Sequence, residues 1–420
     1  MAGFDPQWML FGSDTGGLGT AVRTLEEAGV TGGTLRLASF RSDGADLTFG
    51  HFPADFRGAV LPAVGEVVTI LRRGTPAFVG VCSKVRRWVQ GSAGRAQATI
   101  DGPMDHLSHL QFLVLGGGET GVYPTATVRN VVIGRPTATR STVLEKICTC
   151  TRATSGSAVA LYGTVSSPAL TNDFFVRVVA NPTPAAVLSD HLGAFADEVQ
   201  WWDYSAGRWD LKVAGRSTWA EVDTAALGAS SMEFRPRSDL LESEHVTFWE
   251  KYSVAEADVL ATGGTGTAST RPGYGDPHTF TRSAGDSNWF SWVSGGGGGR
   301  NLRFWYYPWD EIWALYSTGQ SVWGLGVYAS TAAIQAHVAA KYWLPWEGSA
   351  TFLLESPGSL SLGGRRIIST NGPAEWASME APVSGHTIDL ATGRETVSCA
   401  PPYGYTWPTA LYEVSDKLRS

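Results

Sequence analysis

The sequence predicts a mainly β protein with short helices (α+β), and three observations carry that expectation. Short runs of alternating apolar and polar residues recur from Thr34 onward, broken by Gly, Pro and Asp-Gly turn signals. Glycine fills 50 of the 420 positions and tryptophan 17, a usage rich in turns and aromatics. Charged residues reach only 17%, against about 25% in an ordinary domain, so much of the surface is expected to be covered by something else. The length corresponds to roughly two to four domains. Hydrophobic residues at 43% supply several cores and exclude intrinsic disorder. No stretch approaches the roughly 20 apolar residues of a spanning helix, so the chain is not expected to cross a membrane. The opening MAGFDPQWML lacks the basic-then-apolar pattern of a secretory signal. A net charge of −7 argues against binding nucleic acid by neutralising phosphates.

Residues 1–33 read as an N-terminal arm, with a short amphipathic segment, TAVRTLEEAGV, between glycine clusters. GSDTGGLG contains neither GxGxxG nor a P-loop lysine, so it is not a phosphate cradle. From Thr34 to about Asp101, TLRLASF, DLTFGHF, GEVVTILRRG, PAFVGVCSKVRRWVQG and RAQATIDGP are short strands without intervening helices, as in a small antiparallel barrel or sandwich. A tight turn is expected at Arg73-Gly74-Thr75, and Arg95–Ile100 is expected to return antiparallel to the strand before it. Met104–Phe112 reads as briefly helical, and STVLEKICTCTRA as a helix with an apolar face of Val143, Leu144 and Ile147. TPAAVLSDHLGAFADEV carries the clearest helical spacing, with Pro184 near its start and Val187, Leu188, His191, Leu192, Phe195 and Val199 in register. VQWWDYSAGRWDLKVAGRS is a hairpin whose loop is Ser205-Ala206-Gly207. EHVTFWEKYSVAEADVL is another strand pair, and 263–300 is a Gly/Ser/Thr/Pro stretch ending in Gly295–Gly299. The aromatic tract RFWYYPWDEIWALYSTGQSVWG and the helix TAAIQAHVAAKYW follow. PTALYEVSDKLR ends the chain as a helix with Leu411, Tyr412, Val414 and Leu418 on one face.

The residues that carry chemistry point away from catalysis. Cys82, Cys148, Cys150 and Cys399 are too few for a disulfide scaffold, and Cys148-Thr149-Cys150 is too short for a zinc knuckle, so buried or free thiols are expected. His106 and His109 share a helix face without an acidic partner, which reads as structural. No metal or other cofactor is called for. There is no GxSxG elbow and no nucleophile beside a histidine and an acid. Asp310 and Glu311 sit inside the aromatic belt, as in carbohydrate-active sites, but adjacent carboxylates on a strand point to opposite faces. Asp203 and Asp210 flank the hairpin turn and read as turn caps. Lys84, Arg86 and Arg87 alternate with Val85 and Trp88 as one polar face of a strand. Eight of the 17 tryptophans fall between Trp289 and Trp346. Tryptophan and tyrosine are over-represented at interfaces, which makes Trp289, Trp292, Trp305, Tyr306, Tyr307, Trp309, Trp313, Trp323, Trp343 and Trp346 the candidate partner interface.

Four segments in order resemble the tail hub, or baseplate hub, proteins of tailed bacteriophages: GEVVTILRRGTPAFVGVCSKV (Gly65–Val85), the run Val199–Arg216 with WWDYS and LKVAGRS, EFRPRSDLLESEHVTFWEKY (Glu233–Tyr252), and SGHTIDLATGRETVSCAPPYGYTWPTALYEVSDKLR (Ser384–Arg419). The region 263–350 departs from that pattern and reads as an insertion. The resemblance implies two small antiparallel β-barrel domains of tail-hub type, helix-containing connecting domains and the aromatic-rich insertion. The implied division is an arm at 1–33, a first barrel at 34–115, an α+β connecting domain at 116–200, a second barrel begun at 201–262, the Gly/Trp-rich insertion at 263–350, and barrel completion with a C-terminal helix at 351–420.

It further implies a structural, non-enzymatic virion protein of the phage tail tip, assembled in the host cytoplasm. As a homotrimer it would join tail tube to tail tip and contact a distal tail or tube protein, the tape-measure protein and tip or fibre proteins. Phage DNA would transit the lumen without specific binding, which an acidic lining would favour because like charges repel. Two other readings stay open: a carbohydrate-binding or host-receptor-contacting tail-tip protein using the 289–346 aromatics, and a glycan-degrading enzyme using Asp310 or Glu311.

Overall fold

The computed structural model describes residues 7–13, 17–39, 42–109, 198–238, 343–352 and 363–402. Outside these it describes strand segments at 130–133, 162–166, 177–180, 242–248, 251–253, 281–283, 290–294 and 301–306, and single residues at 183, 185, 188 and 189. The architecture is mainly β. The first part of the chain forms β1 (Trp8–Gly12), β2 (Arg23–Thr24), β3 (Val30–Ala38), β4 (Gly44–Pro53), β5 (Val67–Arg72), β6 (Thr75–Gln90) and β7 (Ala93–Asp101), then the short helix α1 (Pro103–Ser108). Next come β8 (Asn130–Ile133), β9 (Tyr162–Ser166), β10 (Arg177–Ala180), β11 (Glu198–Asp203), β12 (Trp209–Gly215), β13 (Ala220–Asp223) and β14 (Ser231–Pro236). The remainder is β15 (Glu242–Phe248), β16 (Lys251–Ser253), β17 (Thr281–Ser283), β18 (Phe290–Ser294), β19 (Asn301–Tyr306), β20 (Trp346–Phe352), β21 (Arg365–Ile368), β22 (Ala381–Asp389) and β23 (Glu395–Cys399).

A thirteen-stranded sheet dominates. Its main path runs β14-β20-β23-β22-β3-β4-β7-β6-β5-β1-β2, with β21 joined to β22 and β13 to β21. Side-chain alternation explains which face turns inward: Ala45, Leu47 and Phe49 of β4 and Ala96, Ala98 and Ile100 of β7 are all buried without exposure. Between β5 and β6 the chain reverses over Arg73 and Gly74, with φ of 52° and 80° and Arg72 paired to Thr75. Two consecutive left-handed residues make the turn whose twist matches a hairpin, and glycine takes that conformation without steric cost.

The sheet curls strongly. Arg72 on β5 and Glu395 on β23 lie six strand steps apart along the path. In a flat sheet, at about 4.8 Å per step, they would be separated by roughly 29 Å. Yet the Arg72 guanidinium is ion-paired with the Glu395 carboxylate. The path from β23 to β5 therefore wraps around its own core.

The two larger hydrophobic cores among the described residues lie one toward each end of β22. The first gathers Trp8, Leu10, Leu35, Leu47, Phe49, Ile70, Phe78 and Ile100, with Ile388 from the end of β22. The second gathers Phe234, Trp346, Phe352, Ile367, Met379 and Val397, with Ala381 and Val383 from the start of β22. β22 can serve both because its first residues pair with β21 while its later residues pair with β3. Gly348 on β20 marks the tightest approach in the second core: its φ is 154°, and a Cβ there would sit 1.9 Å from the Glu233 carbonyl oxygen.

Several expectations need correction. Residues 8–12 are not part of an arm: β1 pairs with β5 along its whole length and places Trp8 and Leu10 in the first core. Two of the inward positions in WMLFG thus behave as a sheet strand once β5 is available to pair. The hairpin β11–β12, assigned above to the second barrel, places Trp202, Tyr204, Trp209, Leu211 and Val213 against the first core. Its loop is as expected, with Gly207 N–H donating to the Tyr204 carbonyl. Of the expected helices, α1 starts near Met104, and Ala185, Leu188 and Ser189 are helical, with Ala185 and Leu188 buried. The helices expected around Leu144, at TAAIQAHVAAKYW and at the C terminus lie outside the described residues.

Candidate functional site

Two strands far apart on the curled sheet, β5 and β23, are fastened by a buried charged network. Glu395 and His386 are almost wholly buried, and His386 Nε2 lies 2.9 Å from Glu395 Oε2. Arg72 binds the other oxygen of that carboxylate and stacks over the Trp8 ring at 5.2 Å. Burial works to raise the Glu395 carboxyl, but the hydrogen bonds and charges of His386 and Arg72 outweigh it and hold it below the usual range. A buried carboxylate is tolerable only with such partners. The network is therefore the fastening that keeps β5 and β23 together.

A second fastening docks the hairpin β11–β12 on the first core. Ser39 Oγ donates to the Gln200 carbonyl at 2.6 Å, and Gln200 N–H donates back to Ser39 Oγ at 3.2 Å. The Trp209 indole N–H donates to the Val79 carbonyl at 2.7 Å. The Tyr204 hydroxyl donates to Asp43, whose other oxygen accepts the Ala38 N–H at 2.6 Å. Asp43 is fully buried. Burial pushes its carboxyl up to about 7, against the lowering effect of the Tyr204 and Ala38 hydrogen bonds, and nearby Asp105 adds to the rise. Between hairpin and fastening lies a cavity of about 580 Å³, lined among others by Trp8, Arg72, Trp201, Asp203, Tyr204 and His386.

The residues singled out in the sequence fall into three groups. Trp343 and Trp346 are spent inside the chain, at 5% and 6% exposure. The Trp343 ring meets Trp219 edge-on at 5.7 Å and lies under the Arg216 guanidinium, while Trp346 belongs to the second core. These two are corrected from partner interface to internal packing, because flanking strands reach them first. Trp292, Trp305 and Tyr306 lie on β18 and β19, which flank β15 in a three-stranded sheet apart from the large one. Trp289, Tyr307, Trp309, Trp313 and Trp323, with Asp310 and Glu311, lie outside the described residues.

Asp203 caps the hairpin turn through the Ser205 N–H at 3.0 Å, as expected. Asp210 does not: it accepts from the backbone N–H and hydroxyl of Thr164 on β9 and pairs with Arg208, so it ties the hairpin to a third strand. His106 packs its ring against Trp209 at 5.6 Å, and burial and the His109 charge lower it. Cys82 and Cys399 are free and buried, and burial pushes the Cys82 thiol up to about 11. Cys148 and Cys150 lie outside the described residues. Among the described residues no group of three or more potential ligands could hold a metal ion, and no helix is long and apolar enough to cross a membrane.

Sequence reasoning missed Arg72, Asp43, Tyr204, His386 and Glu395. The available signal was weak: Glu395 and His386 interrupt otherwise apolar inward positions on β23 and β22, where an unpaired charge would not be tolerated.

No protein-family model matches the chain, and no curated protein matches it in sequence. Solved structures similar to it do exist. Several are tail proteins. The 43 kDa tail protein of prophage MuSo2 from Shewanella oneidensis is 11% identical, with a TM-score of 0.49, over 95% of this chain and 99% of that one. The tail protein from Neisseria meningitidis MC58 is 11% identical, with a TM-score of 0.48, over 96% and 99%. Prophage tail protein gp18 from Listeria monocytogenes EGD-e is 7% identical, with a TM-score of 0.48, over 99% and 100%.

Proposed function

We propose that the chain is a structural protein of a bacteriophage tail, and within it the hub that joins tail tube to tail tip. The observation that carries this reading is the sharing of β22 between two cores, each wrapped by strands of one curled sheet. A strand common to both halves makes them a single stiff body rather than two domains on a linker, which suits a part that must transmit load between a tube and a tip. The four hub-like segments agree with it, since Gly65–Val85 builds β5 and β6 of the first core and Ser384–Cys399 builds the end of β22 and β23.

In this reading each core is one of the two hub barrels, three copies make the ring, and phage DNA passes through without specific binding. Its neighbours are a distal tail or tube protein, a tape-measure protein and tip or fibre proteins, and it works in the virion without catalysis. A map of the assembled particle, with the copy number measured by quantitative mass spectrometry, tests this. Three copies at the tube end support the hub. Absence from the particle refutes a tail role, and a lumen lined mainly by Lys and Arg refutes the DNA-repelling channel.

A second reading, contact with a host glycan or receptor, is favoured by the position of Trp292, Trp305 and Tyr306 on a sheet separate from the large one. Glycan binding lost on Trp305→Ala would establish it, and no binding by the intact chain would remove it.

A further inference from the structure

β6 changes character at Cys82. Up to Gly80 it pairs with β5, and at Val81 with both β5 and β7; beyond Cys82, Lys84–Gln90 pairs with β7, and no described strand covers the opposite edge. This outer half is also the charged half. Lys84, Arg86, Arg87 and Arg95 across the hairpin are all exposed, and between Ser83 and Gln97 there is no acidic residue. Arg87 rests over the Phe56 ring at 5.7 Å, and among the described residues none of the four is in an ion pair. Trp88 is half-buried and Val89 is 51% exposed, so the edge carries apolar surface beside its charge.

We infer that this edge is a head-to-tail contact between copies of the chain, receiving an acidic surface of the next copy. Charge decides the occupant. The chain as a whole carries −7, and since these four cations are part of that figure, the other residues sum to −11. A second copy therefore brings a net excess of negative charge to a strictly positive edge. Charge also decides the symmetry. A two-fold contact would set Lys84, Arg86 and Arg87 of one copy against the same residues of its neighbour, and like charges facing across a strand pair are destabilising. What remains is a contact between different surfaces, and such contacts repeat until they close into a ring or run on as a filament. The backbone groups on the outer edge of Ser83–Gln90, with which no described strand pairs, add affinity that does not depend on sequence, while the cations keep the edge from joining its own kind. This deepens the reading of the chain as a ring-forming tail protein by naming the ring contact, and it rests on that reading only for the number of copies.

The test is sedimentation of the full-length chain against protein and salt concentration, for the wild type and for the triple variant K84E/R86E/R95E. The wild type is expected to form a closed oligomer that weakens as salt rises. The variant is expected to associate with a Kd about tenfold higher or more, with an unchanged thermal melt because all three side chains are exposed. The milder R86A/R95A should fall between them, which guards against a folding defect in the triple variant. A wild type that stays monomeric, a two-fold dimer, or a variant that assembles as well as the wild type overturns the inference. So does salt-sensitive binding of duplex DNA that the variant loses while its assembly is intact, since that would assign the edge to phosphates. A wild type that forms the ring through this edge but is absent from tail particles would instead refute the function proposed above.

Discussion

The inner and outer halves of β6 belong to one unbroken strand yet meet different surroundings. From Thr75 to Val81 the strand pairs with β5, the Trp209 indole N–H reaches the Val79 carbonyl, and Phe78 and Val79 are buried without exposure under the docked hairpin. From Ser83 to Gln90 it pairs among the described strands with β7 alone, away from the core, and is mostly open to solvent. The contrast separates two jobs. Small and aromatic residues, Ala77-Phe78-Val79-Gly80, let the first half sit inside a core, where Tyr204 meets Phe78 edge-on at 5.3 Å. Basic residues keep the second half soluble and select what can join it. Mutations in the inner half should therefore act on stability, and mutations in the outer half on association.

The largest expected effect is in the inner half. Phe78→Ala empties a fully buried aromatic site and should cost about 3–5 kcal/mol in denaturant unfolding; a loss below about 1 kcal/mol would mean that the hairpin does not close over it. Next is the fastening that keeps the sheet curled. Glu395→Ala leaves the His386 and Arg72 groups without their shared carboxylate and should cost about 3 kcal/mol, read by the same unfolding curve. If Arg72→Ala combined with Glu395→Ala were no better than the sum of the two singles, the pair would not be coupled.

Smaller, and confined to a pH window, is the effect of Asp43. Its folded pKa of about 7 lies above the ordinary 3.8. The folded chain thus keeps a proton that the unfolded chain gives up. The stabilisation is full below about pH 4, declines as pH rises toward 7, and is level above that. Asp43→Asn should flatten this decline in melting temperature between pH 4.5 and 7.5, and an undiminished slope in the variant would place its origin elsewhere. At the bottom of the scale, Arg86→Ala in the outer half should change unfolding stability by no more than about 0.5 kcal/mol. A larger loss would mean that the edge supports the fold rather than an assembly.

The comparison of halves also shows what was readable in the chain. The strands between Thr34 and Asp101, the reversal at Arg73-Gly74 and the loop at Ser205-Ala206-Gly207 were legible, because alternation and turn chemistry are properties of neighbouring residues. The polar face of Lys84 and Arg86 was legible for the same reason. β1 was not: flanked by glycines, WMLFG becomes a strand only when β5 supplies an edge. Asp210 looked like a turn cap because its true partner, Thr164, is 46 residues away. Trp343 and Trp346 looked like partner surface because tryptophan density does not reveal which rings the chain keeps for itself.

Local pattern settled that this is a β-rich chain with two or more cores, few charges and a basic strand face, since period-two alternation, glycine turns and composition need no distant partner to act. Closure was settled elsewhere. That Arg72 meets Glu395 across 323 residues, that Tyr204 meets Asp43 across 161, and that β22 serves two cores all depend on sheet order. Sheet order is a matter of which edges find each other, and a backbone edge offers the same donors and acceptors whatever its sequence.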